Sequence, residues 1–186
     1  MAKIISLSGI HNCGKTTTFE KLKEKYKDNK KILFISEMNT ALNKLGLGIN
    51  NADDQLGLLP LRQGMSQFCL ITIERFLKES IDYTHVVMDR CSLDTTLYTH
   101  YFADKGDMMN DGQLDHTSVG LINSFYQNYD FKIFYFGMNN WIENKRTDCM
   151  SKESGIELEE NYFNKFNELF IDYENIYQII CEIESE

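Results

Sequence analysis

An octapeptide near the amino terminus contains the residue types that bind nucleotide phosphates. Residues 9–16 read Gly-Ile-His-Asn-Cys-Gly-Lys-Thr and match the pattern G-x-x-x-x-G-K-[ST] in full. Glycines let the backbone curl so that successive N–H groups point at phosphate oxygens, and the helix that follows adds partial positive charge. We expect Lys15 to contact the β- and γ-phosphates of ATP and the Thr16 hydroxyl to bind Mg²⁺. The predicted nucleotide-binding set is Gly9, Asn12, Cys13, Gly14, Lys15, Thr16 and Thr17.

Two acids follow apolar segments further along the chain. Asp89 comes directly after Val-Val-Met at 86–88, where a Mg²⁺-associated carboxylate is expected, and Arg90 places a cation beside it. Glu37 follows the apolar segment 31–36. Because the carboxyl ends of parallel strands meet at one edge of a sheet, we expect Glu37 to lie level with Asp89. Thr16 and Asp89 are the predicted metal ligands. Cys13 stands at the start of a helix, which favours a thiolate, although a small loop residue without chemistry is the simpler interpretation.

Short apolar segments alternate with segments of helical periodicity, which predicts crossover connections. The expected fold is α/β, with three layers and a parallel sheet of about five strands covered by helices on both faces. Ligands of such folds bind at the carboxyl ends of the strands. The chain has one proline and no Gly/Ser-rich tract, so residues 1–186 are predicted to form one domain. The expected strands are 3–8, 31–36, 84–88, 131–136 and 176–183, and the expected helices are 15–27, 62–80, 94–103, 118–128 and 157–173.

The phosphate-binding loop (P-loop) together with Asp-Arg-x-x-x-Asp-Thr-x-x-Tyr at 89–98 resembles the nucleoside and nucleotide kinase group of P-loop proteins. That group includes thymidylate kinase, deoxynucleoside kinases and the ribosylnicotinamide kinase type. The resemblance implies phosphoryl transfer from Mg·ATP, with Glu37 as general base for a sugar hydroxyl, or Asp89 in its place. It also implies a basic lid near 139–156, in which Arg146 is the first candidate to neutralise the transferred phosphoryl group together with Arg90, and Lys145 is the next.

The spacing within these motifs leaves the acceptor open. Asp89 and Asp94 are five positions apart, and Cys91 stands where thymidylate kinases tend to carry tyrosine, which favours the ribosylnicotinamide kinase type. That type also tends to have Glu-Pro-Ala-Arg after the second strand, whereas residues 37–40 here are Glu-Met-Asn-Thr. The acceptor is therefore predicted to be either the hydroxyl of a nucleoside-like compound or the phosphate of a nucleoside monophosphate.

Composition favours some function classes over others. The net charge is −9, which disfavours a nucleic-acid partner because phosphate neutralisation by Lys and Arg supplies much of such binding. Five cysteines without a C-x-x-C pair indicate reduced thiols and a cytoplasmic protein. No segment approaches about 20 apolar residues, so no membrane span is expected. The sequence leaves open whether the protein forms a homodimer.

Three other functions are compatible with a phosphate-binding loop. A regulatory module that only senses ATP would keep the same loop without turnover. A polynucleotide 5′-kinase is disfavoured by the acidic balance. A GTPase is disfavoured because Asp-Gln-Leu-Gly at 54–57 does not follow a predicted strand, and because Asn-Lys-Arg-Thr-Asp at 144–148 has one residue more than N-K-x-D.

Overall fold

The computed structural model describes four continuous ranges and several single positions between them. The ranges are 2–37, 82–91, 128–138 and 151–169. The other described positions are all helical: 65, 68, 71–73, 75, 94, 120, 121, 123 and 124. The predicted helices at 62–80 and 118–128 are helical at every described position, and Asp94 is helical where a helix was expected to begin. The predicted fifth strand at 176–183 lies outside the described residues.

Four parallel strands form one sheet in the described part of the chain, in the spatial order β2-β3-β1-β4. The chain leaves β1 for the far strand β2, returns to β3, and then crosses β1 to reach β4, so β1 lies between two strands that come later in sequence. This reversal is the type of position where α/β proteins bind ligands. The strands are β1 (Lys3–Gly9), β2 (Ile32–Ile35), β3 (His85–Asp89) and β4 (Asp130–Phe136).

The register of the sheet brings the carboxyl ends of its central strands together. Leu7 of β1 pairs with Asp89 of β3, and Gly9 of β1 pairs with Phe136 of β4. Nearly all of β1 is buried, as expected for a central strand that is covered on both faces. The hydroxyls of its two serines, Ser6 and Ser8, are hydrogen-bonded to each other at 2.9 Å. The residues that follow these strand ends therefore share one edge of the sheet.

Helix α1 (Lys15–Lys25) starts directly after the P-loop and packs against the sheet. Its Phe19 is 1% exposed and meets Phe34 of β2 edge to face, with ring centroids 5.8 Å apart. Helix α1 ends two residues earlier than predicted, where the Tyr26 N–H bonds to the Leu22 carbonyl. The core beneath the loop joins side chains from both layers: Leu7, Ile10, Cys13, Phe19, Val87, Phe136 and Leu158.

Helix α2 (Lys152–Leu169) begins five residues before the predicted helix at 157–173. Its start is fixed by Ser151, whose hydroxyl accepts a hydrogen bond from the Ser154 N–H at 3.2 Å and whose carbonyl accepts one from Gly155 at 2.9 Å. Residues 152–156 of the predicted lid are therefore helical, while 139–150 lie outside the described residues. No helix within the described ranges is long and apolar enough to cross a bilayer.

Candidate active site

The P-loop adopts a curled conformation that depends on backbone angles rare for ordinary residues. Gly9, Asn12 and Gly14 have φ angles of 122°, 59° and 83°. An added Cβ on Gly9 would lie 2.9 Å from the Phe136 nitrogen and closer still to its carbonyl oxygen, so only glycine fits between β1 and β4. Gly14 is the N-cap of α1 and provides no capping side chain. The first N–H groups of α1 thus have no partner within the helix, which is the arrangement that binds anions.

Lys15 is 4% exposed, and its ammonium donates a hydrogen bond to the Ile10 carbonyl within the same loop. Burial and, to a lesser extent, the nearby Arg90 guanidinium lower the pKa of Lys15 from 10.5 to about 7, against an opposing contribution from Asp94. A phosphate anion beside this amine would favour its charged form. The structure therefore places a buried amine at the base of the loop, and its contact with the β- and γ-phosphates stays a prediction.

Asp89 and Thr16 meet at the end of β3. Asp89 is 3% exposed, and the Thr16 hydroxyl lies near enough to its carboxylate to lower the pKa of that group. Its Oδ1 atom is buried and has no hydrogen-bond partner. Burial raises the pKa of Asp89, and the Glu37 carboxylate adds to this rise against the opposing effects of Thr16, Arg90 and Lys15. A buried carboxylate oxygen without a partner needs a cation or a water molecule.

This donor set fits Mg²⁺. The ion is commonly held by one or two protein oxygens together with substrate phosphates and water, so a full protein cage is not required. The described residues contain no group of three or more His, Cys, Asp or Glu side chains arranged for a metal. The Thr16 hydroxyl and the unsatisfied Asp89 oxygen lie beside the loop that would hold the phosphates. The predicted metal ligands are thus adjacent in the fold.

Arg90 connects the loop to the end of β2. Its Nε is 2.9 Å from the Glu37 carboxylate, and its Nη1 donates a hydrogen bond of 2.8 Å to the Gly9 carbonyl. The two side chains are 13% and 20% exposed, so water screens the pair only in part. Arg90 has a φ angle of 69°, which is uncommon for a residue with a side chain and is typical of functional sites. The expected proximity of Glu37 and Asp89 is therefore observed, with Arg90 between them and the loop.

Asp94 belongs to the sequence motif, but sequence analysis gave it no role. Its Oδ1 accepts a hydrogen bond of 2.9 Å from the Gly9 N–H, and its Oδ2 accepts one of 3.1 Å from the Cys91 N–H. The bond to Cys91 spans three residues, which is the spacing of the returning bond in a capping box and a local signal that the sequence contains. The bond to Gly9 joins residues 85 positions apart and has no local signal.

Of the remaining predicted residues, three are described by the structure and two are not. Cys13 is 2% exposed within the core, and burial raises the pKa of its thiol to about 11, which outweighs the effect of the helix start and agrees with the simpler interpretation of a small loop residue. Asn12 and Thr17 lie in the loop and in the first turn of α1. Arg146 and Lys145 lie outside the described residues.

Comparisons with known proteins identify relatives in structure alone. No family model matches the sequence, and neither does any curated protein sequence. Deoxyadenosine kinase from M. mycoides, solved with the products dCMP and dCDP, is 17% identical with a TM-score of 0.50; the match covers 91% of this chain and 86% of the kinase. Thymidylate kinase from Ehrlichia chaffeensis is 17% identical with a TM-score of 0.54 and coverages of 90% and 82%.

A third similar structure is the NadR protein in complex with NR, at 14% identity and a TM-score of 0.62. The match covers all of this chain and 46% of NadR, so the chain spans less than half of that protein. Identities this low carry information on the fold and not on the substrate. Together with the parallel sheet and the loop after β1, they show that this chain has the α/β fold of the P-loop nucleoside and nucleotide kinases.

Proposed function

We propose that this protein is an ATP-dependent phosphotransferase that acts on a nucleoside, a nucleoside monophosphate or a similar small molecule. One observation carries the proposal: the Arg90 guanidinium bonds both to the first residue of the P-loop and to Glu37 at the end of β2. Groups suited to a phosphate donor and a group suited to an acceptor are thereby joined at one edge of the sheet. An isolated ATP-binding loop would need only the first of these.

The residues of the loop would hold the donor. Lys15 and the N–H groups at the start of α1 bind phosphate oxygens, and Thr16 and Asp89 bind Mg²⁺, the latter directly or through water. When bound, Mg·ATP supplies the transferable phosphoryl group together with the cation that neutralises its charge. Lys15 is already buried at this place, where a phosphate oxygen would replace the Ile10 carbonyl as the partner of its ammonium.

Glu37 would act on the acceptor. If the acceptor is a hydroxyl, the carboxylate takes its proton as the new P–O bond forms, and Arg90 holds the carboxylate in position through the 2.9 Å ion pair. If the acceptor is a phosphate, it is already an anion, so Glu37 binds and orients it without removing a proton. Arg90, and Arg146 from the predicted lid, neutralise charge around the transferred group.

The first test is ADP release from Mg·ATP across a panel of nucleosides, nucleoside monophosphates and ribosylnicotinamide. We expect turnover with at least one acceptor, and we expect Lys15→Ala to lower it by about 100-fold or more while the protein stays folded. Lys21→Ala, a change at an exposed position on the same helix, is the matched control and should turn over normally. Binding of ATP without ADP release for any acceptor would favour a sensor over an enzyme. Near-normal turnover by Lys15→Ala would contradict the proposed role of Lys15 in binding the phosphate donor.

Glu37→Gln separates the two kinds of acceptor. Glutamine keeps an oxygen for Arg90 and cannot accept a proton, so turnover of a hydroxyl acceptor should fall far more than turnover of a monophosphate. The affinity for ATP should change little in both cases. An equal loss with both acceptor types would rule out the role of Glu37 as a base.

A further inference from the structure

The Asp94 carboxylate lies between the two motifs of the site and contacts both. It is 2% exposed, and each of its oxygens accepts one backbone hydrogen bond, from Gly9 at 2.9 Å and from Cys91 at 3.1 Å. Oδ1 also lies 3.7 Å from Nη1 of Arg90. Two N–H groups and one guanidinium thus offset the loss of hydration of this buried charge.

The chemistry of these contacts requires a carboxylate. Both backbone partners are donors, so the residue must present two acceptors at once. Asparagine has one carbonyl oxygen, and its NH₂ group would face one of the two N–H groups. Alanine would leave both donors buried without a partner. Asp94 is therefore the residue type that the two contacts select.

The bond to Gly9 controls the point at which the chain leaves β1. Gly9 is the first residue of the P-loop, and both of its backbone polar groups are hydrogen-bonded. Its N–H donates to Asp94, and its carbonyl accepts a bond of 2.8 Å from Arg90. Its Cα is pressed against the backbone of Phe136. With these contacts fixed, the direction of the loop and the position of Lys15 follow.

We propose that Asp94 is a positioning residue that holds the P-loop in its phosphate-binding conformation by tying Gly9 to the start of the helix after β3. The role rests on the proposed nucleotide site but does not require turnover. A displacement of Asp94 would therefore be transmitted to the P-loop through its bond to Gly9.

The test uses Asp94→Asn, with Asp94→Ala as a second variant and Asp28→Asn, at an exposed position after α1, as the matched control. Two quantities are measured at a temperature at which each variant is folded: the Kd for ATP, and the chemical shift and hydrogen exchange of the Gly9 amide. We expect ATP to bind about tenfold more weakly to Asp94→Asn, which corresponds to about 1.4 kcal/mol, and more weakly again to Asp94→Ala. The Gly9 amide should shift and exchange faster, and the control should match the wild type.

A role confined to stability would give a different pattern. Lower thermal stability with an unchanged Kd for ATP and an unchanged Gly9 amide would overturn the proposal. If neither variant folds, hydrogen exchange of the Gly9 amide is measured in the wild-type protein. Exchange as fast as that of an exposed amide would contradict the bond to Asp94. If the wild type does not bind ATP, the proposed function fails, and the Gly9 amide in the variants still decides the positioning role.

Discussion

Replacing Gly9 by alanine tests how closely β1 and β4 approach beneath the P-loop. The φ angle of 122° lies in a region that residues with a Cβ rarely adopt, which costs on the order of 1–3 kcal/mol. The added methyl would also lie 2.9 Å from the Phe136 nitrogen and nearer to its carbonyl oxygen, and because these are backbone atoms they cannot turn aside. Overpacking of this kind costs typically about 1–3 kcal/mol more.

The two contributions together predict a loss of about 2–6 kcal/mol, which is a large share of the 5–15 kcal/mol that stabilise a typical domain. Denaturant unfolding measures it as a lower midpoint at an unchanged slope. We expect Gly9→Ala to be severely destabilised or not to fold, and any folded fraction to bind ATP weakly because the loop starts from the wrong position.

Two other glycines serve as matched controls. Gly14 has a φ of 83° with no atom within 4 Å of an added Cβ, so Gly14→Ala should lose only about 1–2 kcal/mol for the left-handed conformation. Gly120 is helical with the same open space, so Gly120→Ala should be neutral or gain about 0.5–1 kcal/mol. A Gly9→Ala variant no less stable than Gly14→Ala would refute the close approach of the two strands.

Three further predictions concern buried ionisable groups. Asp89→Asn removes a buried carboxylate whose pKa is raised, so the free energy of unfolding without ligand should rise while turnover falls by about 100-fold or more; lower stability in the same denaturant assay would contradict this. Because the pKa of Lys15 is about 7 in the fold and 10.5 in the unfolded chain, the unfolded state binds more protons between these values, and the free energy of unfolding should rise with pH there by up to about 1.4 kcal/mol per pH unit. Denaturant midpoints should show a smaller slope for Lys15→Met, and equal slopes would exclude this titration. With the pKa of Cys13 at about 11, roughly one thiol in a thousand is ionised near pH 8, so iodoacetamide should label Cys13 only after unfolding; mass spectrometry of the loop peptide checks this, and rapid labelling of the folded protein would contradict it.

The sequence predicted those parts of the fold that depend on local patterns. Apolar, β-branched segments located all four described strands to within one residue at every end, and the G-x-x-x-x-G-K-T pattern located the turn between β1 and α1. The start of α2 was placed five residues late because the prediction followed apolar periodicity, whereas the helix begins at the hydroxyl cap of Ser151 in a polar segment. Capping is a local signal, and it was present in the sequence.

Other features of the site depend on contacts between distant residues, which no local pattern specifies. The proximity of Glu37 and Asp89 could be expected because parallel strands end at the same edge of the sheet. The bond from Asp94 to Gly9 depends on the register between β1 and β3, and the fit of Gly9 depends on the register between β1 and β4. The environment of Cys13 likewise depends on Leu158 of α2, which completes the core beneath the loop. The start of a helix favours a thiolate, but burial raises the pKa of this thiol and outweighs that effect.

The most direct test of the central claim follows the terminal phosphoryl group itself. The protein is incubated with Mg²⁺ and ATP labelled on the γ-phosphate, together with the panel of nucleosides, monophosphates and ribosylnicotinamide, and the labelled products are separated. The proposed function predicts that label appears on an acceptor with the wild-type protein and not with Lys15→Ala. Label that stays on ATP, or that passes only to inorganic phosphate with every acceptor, would contradict it.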